Sequence, residues 1–267
     1  MQKLLIGTNL KMYKGIQETS DYLTLMQSLT GDILSDVTPF VIPSFTSLAA
    51  AAQTVRGKSI LLGAQNMCAA EMGQYTGEIS PHMLQEIGID IVEIGHSERR
   101  TLFHETDQDE NAKILSALVH GFTALYCIGE SAFDKECGIA SETLLIQLKV
   151  GLKGVDTANA AHLWIAYEPA WAIGTGGTPA SPAYIERQHA VIKKVLHNLF
   201  PTVDIPVLYG GSVNPGNACD IIRLPNVDGL FIGRAAWGAQ PFNLLIRDVL
   251  RVWENKGIHT GKELDRE

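Results

Sequence analysis

The chain has 267 residues, of which 46% are hydrophobic and 19% charged, and its formal net charge is −8. This is the composition of a globular protein with a sizeable core. The acidic balance argues against a general nucleic-acid binder, which would carry a basic patch or stripe. The four cysteines form no CxxC pair, so the sequence has no zinc or redox motif. The N-terminal apolar run is too short for a signal peptide and no run of about 18 apolar residues occurs, so we expect a cytoplasmic protein without membrane contact.

Eight short apolar runs recur in chain order. They read LLIGTN near Leu4, TPFVIP near Val41, SILLGAQ near Leu61, IDIVEIG near Val92, FTALYCIG near Leu125, LWIAYE near Ile165, IPVLYGG near Val207 and VDGLFIG near Phe231. Continuous apolar runs of this length are typical of parallel strands that are buried on both faces.

Helix-permissive stretches separate these runs. They are Gln17–Leu29, Thr46–Thr54, the segment SPHMLQEIG, Asp107–His120, Ser141–Leu152, Pro182–Leu199, Asn217–Leu224 and Phe242–Glu254. Ser181 before Pro182 is typical of an N-cap followed by proline in the first helical position. Eight strand–helix rounds in about 250 residues predict an α/β protein of one domain, a (β/α)8 barrel over residues 1–256, with a doubly wound open sheet as the alternative. Residues 257–267 are predicted to form a polar, frayed C-terminal tail.

Polar residues follow five of the eight runs. They are Asn9 and Lys11 after the first, His96 and Glu98 after the fourth, Glu168 after the sixth, Gly210, Gly211 and Ser212 after the seventh, and Gly233 and Arg234 after the eighth. Each signal is weak alone. In a barrel, however, the carboxyl ends of all strands meet at one mouth, where active sites lie.

The residue types at this mouth suit one kind of chemistry. Glycine-rich turns after the last two strands can direct backbone N–H groups at a phosphate. Lys11 would place a positive charge beside that phosphate and beside a developing oxyanion. His96 starts the string HSERR, which resembles the first turn of a helix, so a neutral imidazole could donate to a carbonyl oxygen. Glu168 would then remove a proton from the adjacent carbon, which predicts aldose–ketose isomerisation through an enediolate, without a metal or redox cofactor.

The sequence resembles the triosephosphate isomerase family, with a (β/α)8 TIM barrel, over nearly its whole length. The segments that carry the resemblance are TNLKM, GAQN, GQYTGEIS, IVEIGHSERR, CIGE, AYEPAWAIGTG, YGGSV and DGLFIG. The acid–base assignment above is the established one for that family and is not independent of it. The resemblance implies Lys11 as electrostatic clamp, His96 as electrophile and Glu168 as base. It further implies a supporting role for Glu98 and substrate or phosphate contacts from Asn9, Gly174, Ser212 and Gly233.

Two loops are also assigned through the resemblance. PAWAIGTGG is similar to the family's closing loop, in which Pro169 would stiffen the first hinge and Trp171 would anchor it. The string GQYTGEIS is similar to the segment that docks into a second subunit near that subunit's Lys11 and His96. A homodimer through the Gly73–Glu78 loop is therefore expected, with a small phosphorylated sugar as the other partner.

Three positions depart from the family's usual strings, namely Leu10 in place of tryptophan, Phe231 in place of leucine and Arg234 in place of glycine. A larger Phe231 would alter the apolar clamp around the catalytic carboxylate, and an Arg234 side chain would have to point away or reshape the phosphate site. The string GLFIGRAAW resembles a branch that isomerises four-carbon erythrulose phosphates in tetritol catabolism. Triose phosphates of glycolysis remain the alternative substrate. A Schiff-base aldolase with Lys11 as nucleophile, or a non-catalytic sugar-phosphate binder, are the remote alternatives.

Overall fold

The computed structural model describes residues 3–57, 60–174 and 176–263, with side chains described up to residue 256. Within these ranges the chain forms eight strands and ten α-helices. The strands are β1 Leu4–Asn9, β2 Val37–Ile42, β3 Leu61–Ala64, β4 Ile91–Ile94, β5 Thr123–Ile128, β6 Leu163–Tyr167, β7 Val207–Tyr209 and β8 Gly229–Ile232. The helices are α1 Ile16–Thr30, α2 Phe45–Val55, α3 Pro81–Ile87, α4 Ser97–Leu102, α5 Asp107–Val119, α6 Ala132–Glu136, α7 Ala140–Gly151, α8 Pro182–Leu199, α9 Ala218–Ile222 and α10 Ala239–Glu263.

The strands form a closed parallel barrel in chain order, and β8 pairs with β1. The closing register aligns Leu5 with Gly229 and Thr8 with Ile232. The predicted (β/α)8 barrel of one domain is confirmed, and the doubly wound open sheet is wrong because an open sheet would leave β1 and β8 unpaired. Each predicted apolar run supplies one strand, because a strand covered by side chains inside and helices outside has no polar face.

The interior of the barrel is filled by apolar side chains rather than by solvent. A cluster contributed by seven of the eight strands contains Leu5, Phe40, Ile42, Ile91, Leu125, Cys127, Ala166, Leu208 and Phe231. The rings of Phe40 and Phe231 stack with centroids 5.6 Å apart. Gly7 makes room for this pair, since a Cβ atom there would lie 2.3 Å from the Phe40 ring. The larger apolar cluster lies between the strands and the surrounding helices.

Helix boundaries follow local capping chemistry. The Ser181 side chain accepts a hydrogen bond from the Tyr184 N–H at 3.3 Å, with Pro182 in the first turn, as predicted. Helix α6 is absent from the sequence prediction, although Ser131 forms a capping box with Asp134 at its start. Its five residues are too few for a periodic apolar signal.

The C-terminal helix extends beyond its predicted end. The backbone of α10 continues through Gly257 to Glu263, where the sequence predicts a frayed tail. Residues 264–267 of that tail lie outside the described residues. No helix in the described part of the chain combines the length and apolar character needed to cross a bilayer.

Candidate active site

A cavity of about 1100 Å³ opens at the carboxyl ends of the strands. Eight of the ten residues predicted for the site line it, namely Asn9, Lys11, His96, Glu98, Glu168, Gly174, Ser212 and Gly233. They follow strands β1, β4, β6, β7 and β8, so barrel closure brings together positions that are up to 224 residues apart in the chain (from 9 to 233). Pro169 and Trp171, predicted for the loop hinge, are outside this lining.

Lys11 is held in an uncommon backbone conformation just beyond β1. Its φ of 51° lies in the left-handed region, which non-glycine residues seldom occupy. The conformation is stabilised by Asn9, whose Oδ1 accepts the Lys11 backbone N–H at 2.7 Å, and by Gln65, whose Nε2 donates to the Lys11 carbonyl at 2.8 Å. The Lys11 ammonium group donates to Glu98 Oε1 at 2.7 Å. A strained backbone that its neighbours hold in place is typical of functional sites.

Glu98 meets Lys11 as predicted. Partial burial opposes ionisation of its carboxyl, but the hydrogen bond from Lys11 and the nearby His96 outweigh burial and lower the Glu98 pKa. The Lys11 ammonium is therefore paired with a carboxylate. This arrangement suits an electrostatic clamp, and it opposes a role as a neutral amine nucleophile.

His96 is the N-cap residue of α4, and its side chain is only 5% exposed. Its Nδ1 accepts the Glu98 backbone N–H at 3.1 Å, which leaves the proton of a neutral imidazole on Nε2. Burial, together with the nearby Lys11 and Arg99 and against the opposing charge of Glu98, lowers the His96 pKa to about 4. The side chain is thus a neutral N–H donor at neutral pH, and its donor nitrogen points into the cavity beside Glu168.

Glu168 follows β6 directly, and its carboxyl is 5% exposed. Its Oε2 lies 3.7 Å from His96 Nε2 and, among the described residues, has no hydrogen-bond partner. Gly210 leaves the space that this side chain needs, because a Cβ atom there would lie 2.7 Å from Glu168 Cγ. Burial raises the Glu168 pKa to about 8, while Lys11 acts in the opposite direction. A buried carboxyl with a raised pKa and one oxygen without a hydrogen-bond partner has the properties of a general base.

One end of the cavity is formed by backbone from three glycine-containing segments. These contribute Gly174, Ser212 and Gly233. The turn after β7 is fixed by Asn217, whose Nδ2 donates to the Ser212 carbonyl at 2.8 Å. The Arg234 guanidinium does not point away from the site, because its Nη2 donates to the Gly174 carbonyl at 3.0 Å across the rim. The departure from glycine at this position therefore adds a contact between the end of β8 and the loop after β6.

Trp171 anchors that loop from behind the cavity. The indole Nε1 donates to Glu130 Oε1 at 2.8 Å, and the Lys135 ammonium lies 3.3 Å from the centre of the Trp171 ring. Buried Glu130 also accepts the hydroxyls of Tyr167 and Tyr184. Pro169 precedes a short 3₁₀ turn over Ala170–Ala172. The predicted hinge residues thus sit at the fixed base of the loop, which explains why they do not line the cavity.

Sequence reasoning missed Glu93, a fully buried carboxyl within β4. Both of its oxygens lie close to Asn9 Nδ2, at 2.8 and 3.1 Å, and Cys127 Sγ lies 3.9 Å from Oε1. Burial raises the Glu93 pKa well above its usual range, and the Glu168 charge raises it further against the effects of Asn9 and Lys11. The sequence held a sign of this residue, since the acidic residue in the apolar run IVEIG belongs to a strand that has no solvent-exposed face.

Glu93 determines which way the Asn9 amide points. With Nδ2 directed at Glu93, the Asn9 Oδ1 accepts from the Lys11 backbone and from Gln65 Nε2 at 3.1 Å. Nδ2 carries two hydrogens, so one remains for a ligand in the cavity. The buried acid therefore orients a side chain that lines the site and, through it, the backbone of Lys11.

The fold and the groups at its rim define an aldose–ketose phosphate isomerase. A sequence model of the family described as triosephosphate isomerase matches residues 4–249, and the chain belongs to that family. It is 44% identical over 238 residues to L-erythrulose-1-phosphate isomerase of Mesorhizobium japonicum, covering 89% of this chain and 93% of that protein. It is 41% identical over 257 residues to the enzyme of the same name from Brucella abortus, covering 96% of this chain and all of that protein.

A solved structure gives the same fold. The crystal structure of triosephosphate isomerase from Bartonella henselae matches with a TM-score of 0.84 and 34% identity. The match covers 94% of this chain and 100% of that one. The sequence resemblance to this family is therefore confirmed.

The two shifted pKa values predict the pH dependence of turnover. Because burial raises the Glu168 pKa to about 8, the carboxylate needed as a base is lost as the pH falls below that value. His96, with its pKa lowered to about 4, stays neutral across the range. A plot of kcat/KM against pH should fall on the acid side with a midpoint near 8. A sugar phosphate itself titrates near pH 6 (about the second pKa of a phosphomonoester), so an acid limb only there or lower would contradict the assignment.

Glu93 is predicted to act through hydrogen-bond geometry rather than through charge. In Glu93→Gln the amide oxygen can still accept from Asn9, so kcat/KM and its acid limb should stay close to those of the parent protein. Glu93→Leu leaves Asn9 Nδ2 without its buried acceptor and should lower kcat/KM by about tenfold or more. Steady-state kinetics with thermal unfolding as a folding check would compare the two. An equal loss in Glu93→Gln would show that the carboxyl itself is required.

Proposed function

We propose that the protein isomerises an erythrulose phosphate, a phosphorylated four-carbon ketose, by moving its carbonyl group to the adjacent carbon through an enediolate. The observation that carries this proposal is the pairing of a dry carboxyl, Glu168, with a neutral imidazole N–H, His96, across 3.7 Å at the rim of the cavity. Relatives named L-erythrulose-1-phosphate isomerase, at 41–44% identity over most of the chain, support the four-carbon substrate.

Each step of the reaction has a group suited to it. Glu168 takes a proton from the carbon next to the carbonyl, and the electron pair moves to the carbonyl oxygen to give an enediolate. The His96 Nε2–H and the Lys11 ammonium stabilise that oxyanion. The proton of the neighbouring hydroxyl then passes to the former carbonyl oxygen, and the Glu168 carboxylic acid returns its proton to the carbon that had carried the carbonyl. The atoms balance without any further reactant, because the product is an isomer of the substrate.

The phosphate would bind at the end of the cavity formed by Gly174, Ser212 and Gly233. Backbone N–H groups of such turns make concave anion sites in (β/α)8 barrels. Arg234 would add a positive charge at this end through its contact with Gly174. Phe231 also lines the cavity and is 3% exposed, so it would supply an apolar surface near the reacting carbons.

A triose phosphate is the second candidate substrate. It is favoured by the likeness to the Bartonella henselae triosephosphate isomerase. A difference of one hydroxymethyl group in a pocket typically changes preference by only about 1–3 kcal/mol, so the same machinery could process both. The remote alternative of a Schiff-base aldolase is disfavoured, since Lys11 is engaged in an ion pair with Glu98 at 2.7 Å.

The experiment that tests the substrate is a parallel assay of the purified protein. Values of kcat/KM are compared for glyceraldehyde 3-phosphate and for both enantiomers of erythrulose phosphate. We expect the higher value for one of the erythrulose phosphates, and a higher value for the triose would reverse the order of the two candidates.

Glu168→Asp is the matched control in that assay, because it withdraws the base by about 1 Å. Turnover of the preferred substrate should fall by orders of magnitude while binding is retained. Turnover that survives in the variant would come from a contaminating isomerase or from another base. If the parent protein binds these substrates but turns over none of them, the result would favour the alternative of a non-catalytic sugar-phosphate binder.

We also propose that two copies of the chain pair through the Gly73–Glu78 loop. Exposed apolar side chains lie at the tip of this loop, where Met72 is 80% exposed and Tyr75 54%. A second exposed apolar set flanks the cavity, with Met12 and Tyr13 next to Lys11 and with Leu102 and Phe103 after His96. A pairing that inserts each loop tip into the partner's apolar rim would bury both sets at once.

Deletion of Gly73–Glu78 should therefore shift the protein to monomer mass on size-exclusion chromatography with light scattering. Tyr75→Asp should weaken the dimer in the same direction, because it places a charge in the buried contact. Leu244→Asp on α10 is the matched control, since Leu244 is exposed to a similar degree but lies on a different element. A deletion variant that keeps the mass of the parent protein would exclude this contact.

We retain the cytoplasm as the proposed compartment. All four cysteines are free thiols, and Cys127 is buried as expected of a small core residue. Reduced cysteines accord with a reducing environment. With the four-carbon substrate, the enzyme would serve tetritol catabolism, and with the triose it would serve glycolysis.

A further inference from the structure

Outside the catalytic cavity, three potential metal ligands converge on one point of the surface. Glu71 comes from the loop after β3, His82 from the first turn of α3, and His120 from the residue that follows α5. The Glu71 carboxylate lies 3.7 Å from His82 Nε2 and 3.6 Å from His120 Nε2. One ligand atom from each of the three lies within 4.8 Å of the others. None of the three residues lines the catalytic cavity.

Hydrogen bonds fix the orientation of both imidazoles. His120 Nδ1 lies 2.7 Å from the Ser116 carbonyl oxygen, which can only accept, so Nδ1 carries a proton. His82 Nδ1 lies 3.2 Å from Gln85 Oε1. The other end of the Gln85 amide, Nε2, donates to the His120 carbonyl at 2.9 Å, which leaves its oxygen as an acceptor for His82. In their neutral forms both rings therefore present a lone pair on Nε2.

The two Nε2 lone pairs face the same carboxylate. Lone pairs and a carboxylate repel one another unless a cation or protons lie between them. Bound metals commonly have this outer arrangement, in which the far nitrogen of each ligating histidine donates to a carbonyl or amide oxygen. The rings themselves meet edge to face with centroids 5.1 Å apart, which brings both nitrogens to one side.

We propose that Glu71, His82 and His120 bind a divalent transition-metal ion, best matched by Zn²⁺. Imidazole nitrogen and carboxylate oxygen are ordinary ligands of Zn²⁺ at about 2.0–2.2 Å, which corresponds to ligand–ligand separations of about 3.4 Å in a tetrahedron. Glu71 Oε2 lies 3.7 Å from His82 Nε2 and Glu71 Oε1 lies 3.6 Å from His120 Nε2, so one oxygen faces each ring at close to that value. The exposed Glu71 side chain can rotate to bring a single oxygen into place. Water would complete the coordination.

The ion would act on structure rather than on the isomerisation. It would join the loop after β3 to α3 and to the end of α5, of which the last two already share the Gln85–His120 hydrogen bond. Binding to the folded state alone stabilises that state by mass action. Zn²⁺ should therefore raise the unfolding temperature without changing kcat.

Isothermal titration of the full-length protein, freed of metal with EDTA and dialysed, tests the site with ZnCl₂ as the probe. We expect one Zn²⁺ per chain. His82→Asn and His120→Asn keep a donor near the position of Nδ1 and remove Nε2, and Glu71→Gln removes the charge with little change of shape. Each should weaken Zn²⁺ binding by at least about tenfold, since even outer-sphere substitutions cost about that much. His197→Asn on α8 is the matched control and should bind as the parent protein does.

The rise in unfolding temperature gives a second readout. It should disappear in Glu71→Gln, whose metal-free form should unfold at the parent temperature because the side chain is exposed. The absorption spectrum with Co²⁺ in place of Zn²⁺ should show the intense visible bands of four-coordinate nitrogen and oxygen ligation. Absence of stoichiometric binding, or equal binding in the parent and the three variants, would overturn the proposal and leave the cluster as ion pairs between Glu71 and protonated histidines.

Discussion

Closure of eight parallel strands is the constraint on which the rest of the molecule depends. Because every strand runs in the same direction, every carboxyl end reaches the same rim, and residues that follow six of the eight strands share one cavity. Closure also removes both sheet edges, so each strand is buried on its two faces. The interior then has to be filled, and the Phe40–Phe231 stack over Gly7 does so directly below the site. The site therefore rests on a packed floor rather than on a flexible one.

The electrostatics of the rim follow from the burial of its side chains. Burial alone would push Glu168, Glu93 and His96 toward their neutral forms. Lys11 is the positive charge that works against this for the two acids, and Glu98 keeps that ammonium in place. Glu93 need not be ionised to serve as an acceptor for Asn9. The Lys11 ammonium therefore has to favour ionisation of only one buried carboxyl, that of Glu168. Burial balanced by one nearby positive charge gives a base with a pKa near neutrality.

The sequence predicts the barrel well because each of its strands is a continuous apolar run and most of these runs are separated by a helix-permissive stretch. Lys11, His96 and Glu168 were found because they stand directly after such runs. Glu93 was missed because an acid within a run was taken as part of the strand, and its meaning depends on Asn9, which lies 84 residues away. The left-handed backbone of Lys11 could not be foreseen, since lysine has no preference for that region. Glu71, His82 and His120 share no sequence spacing, and only the packing of α3 against the end of α5 brings them together.

The two departures at β8 belong to one physical change. Phe231 and Arg234 lie three residues apart, the first turned into the barrel and the second reaching over the rim to Gly174. The ring packs on Phe40 and lines the cavity, while the guanidinium ties the end of β8 to the loop after β6. Both departures therefore act on the same cavity, one on its apolar floor and the other on its rim. Under the proposed four-carbon specificity, we expect selectivity between triose and tetrulose to depend on the pair rather than on either residue alone.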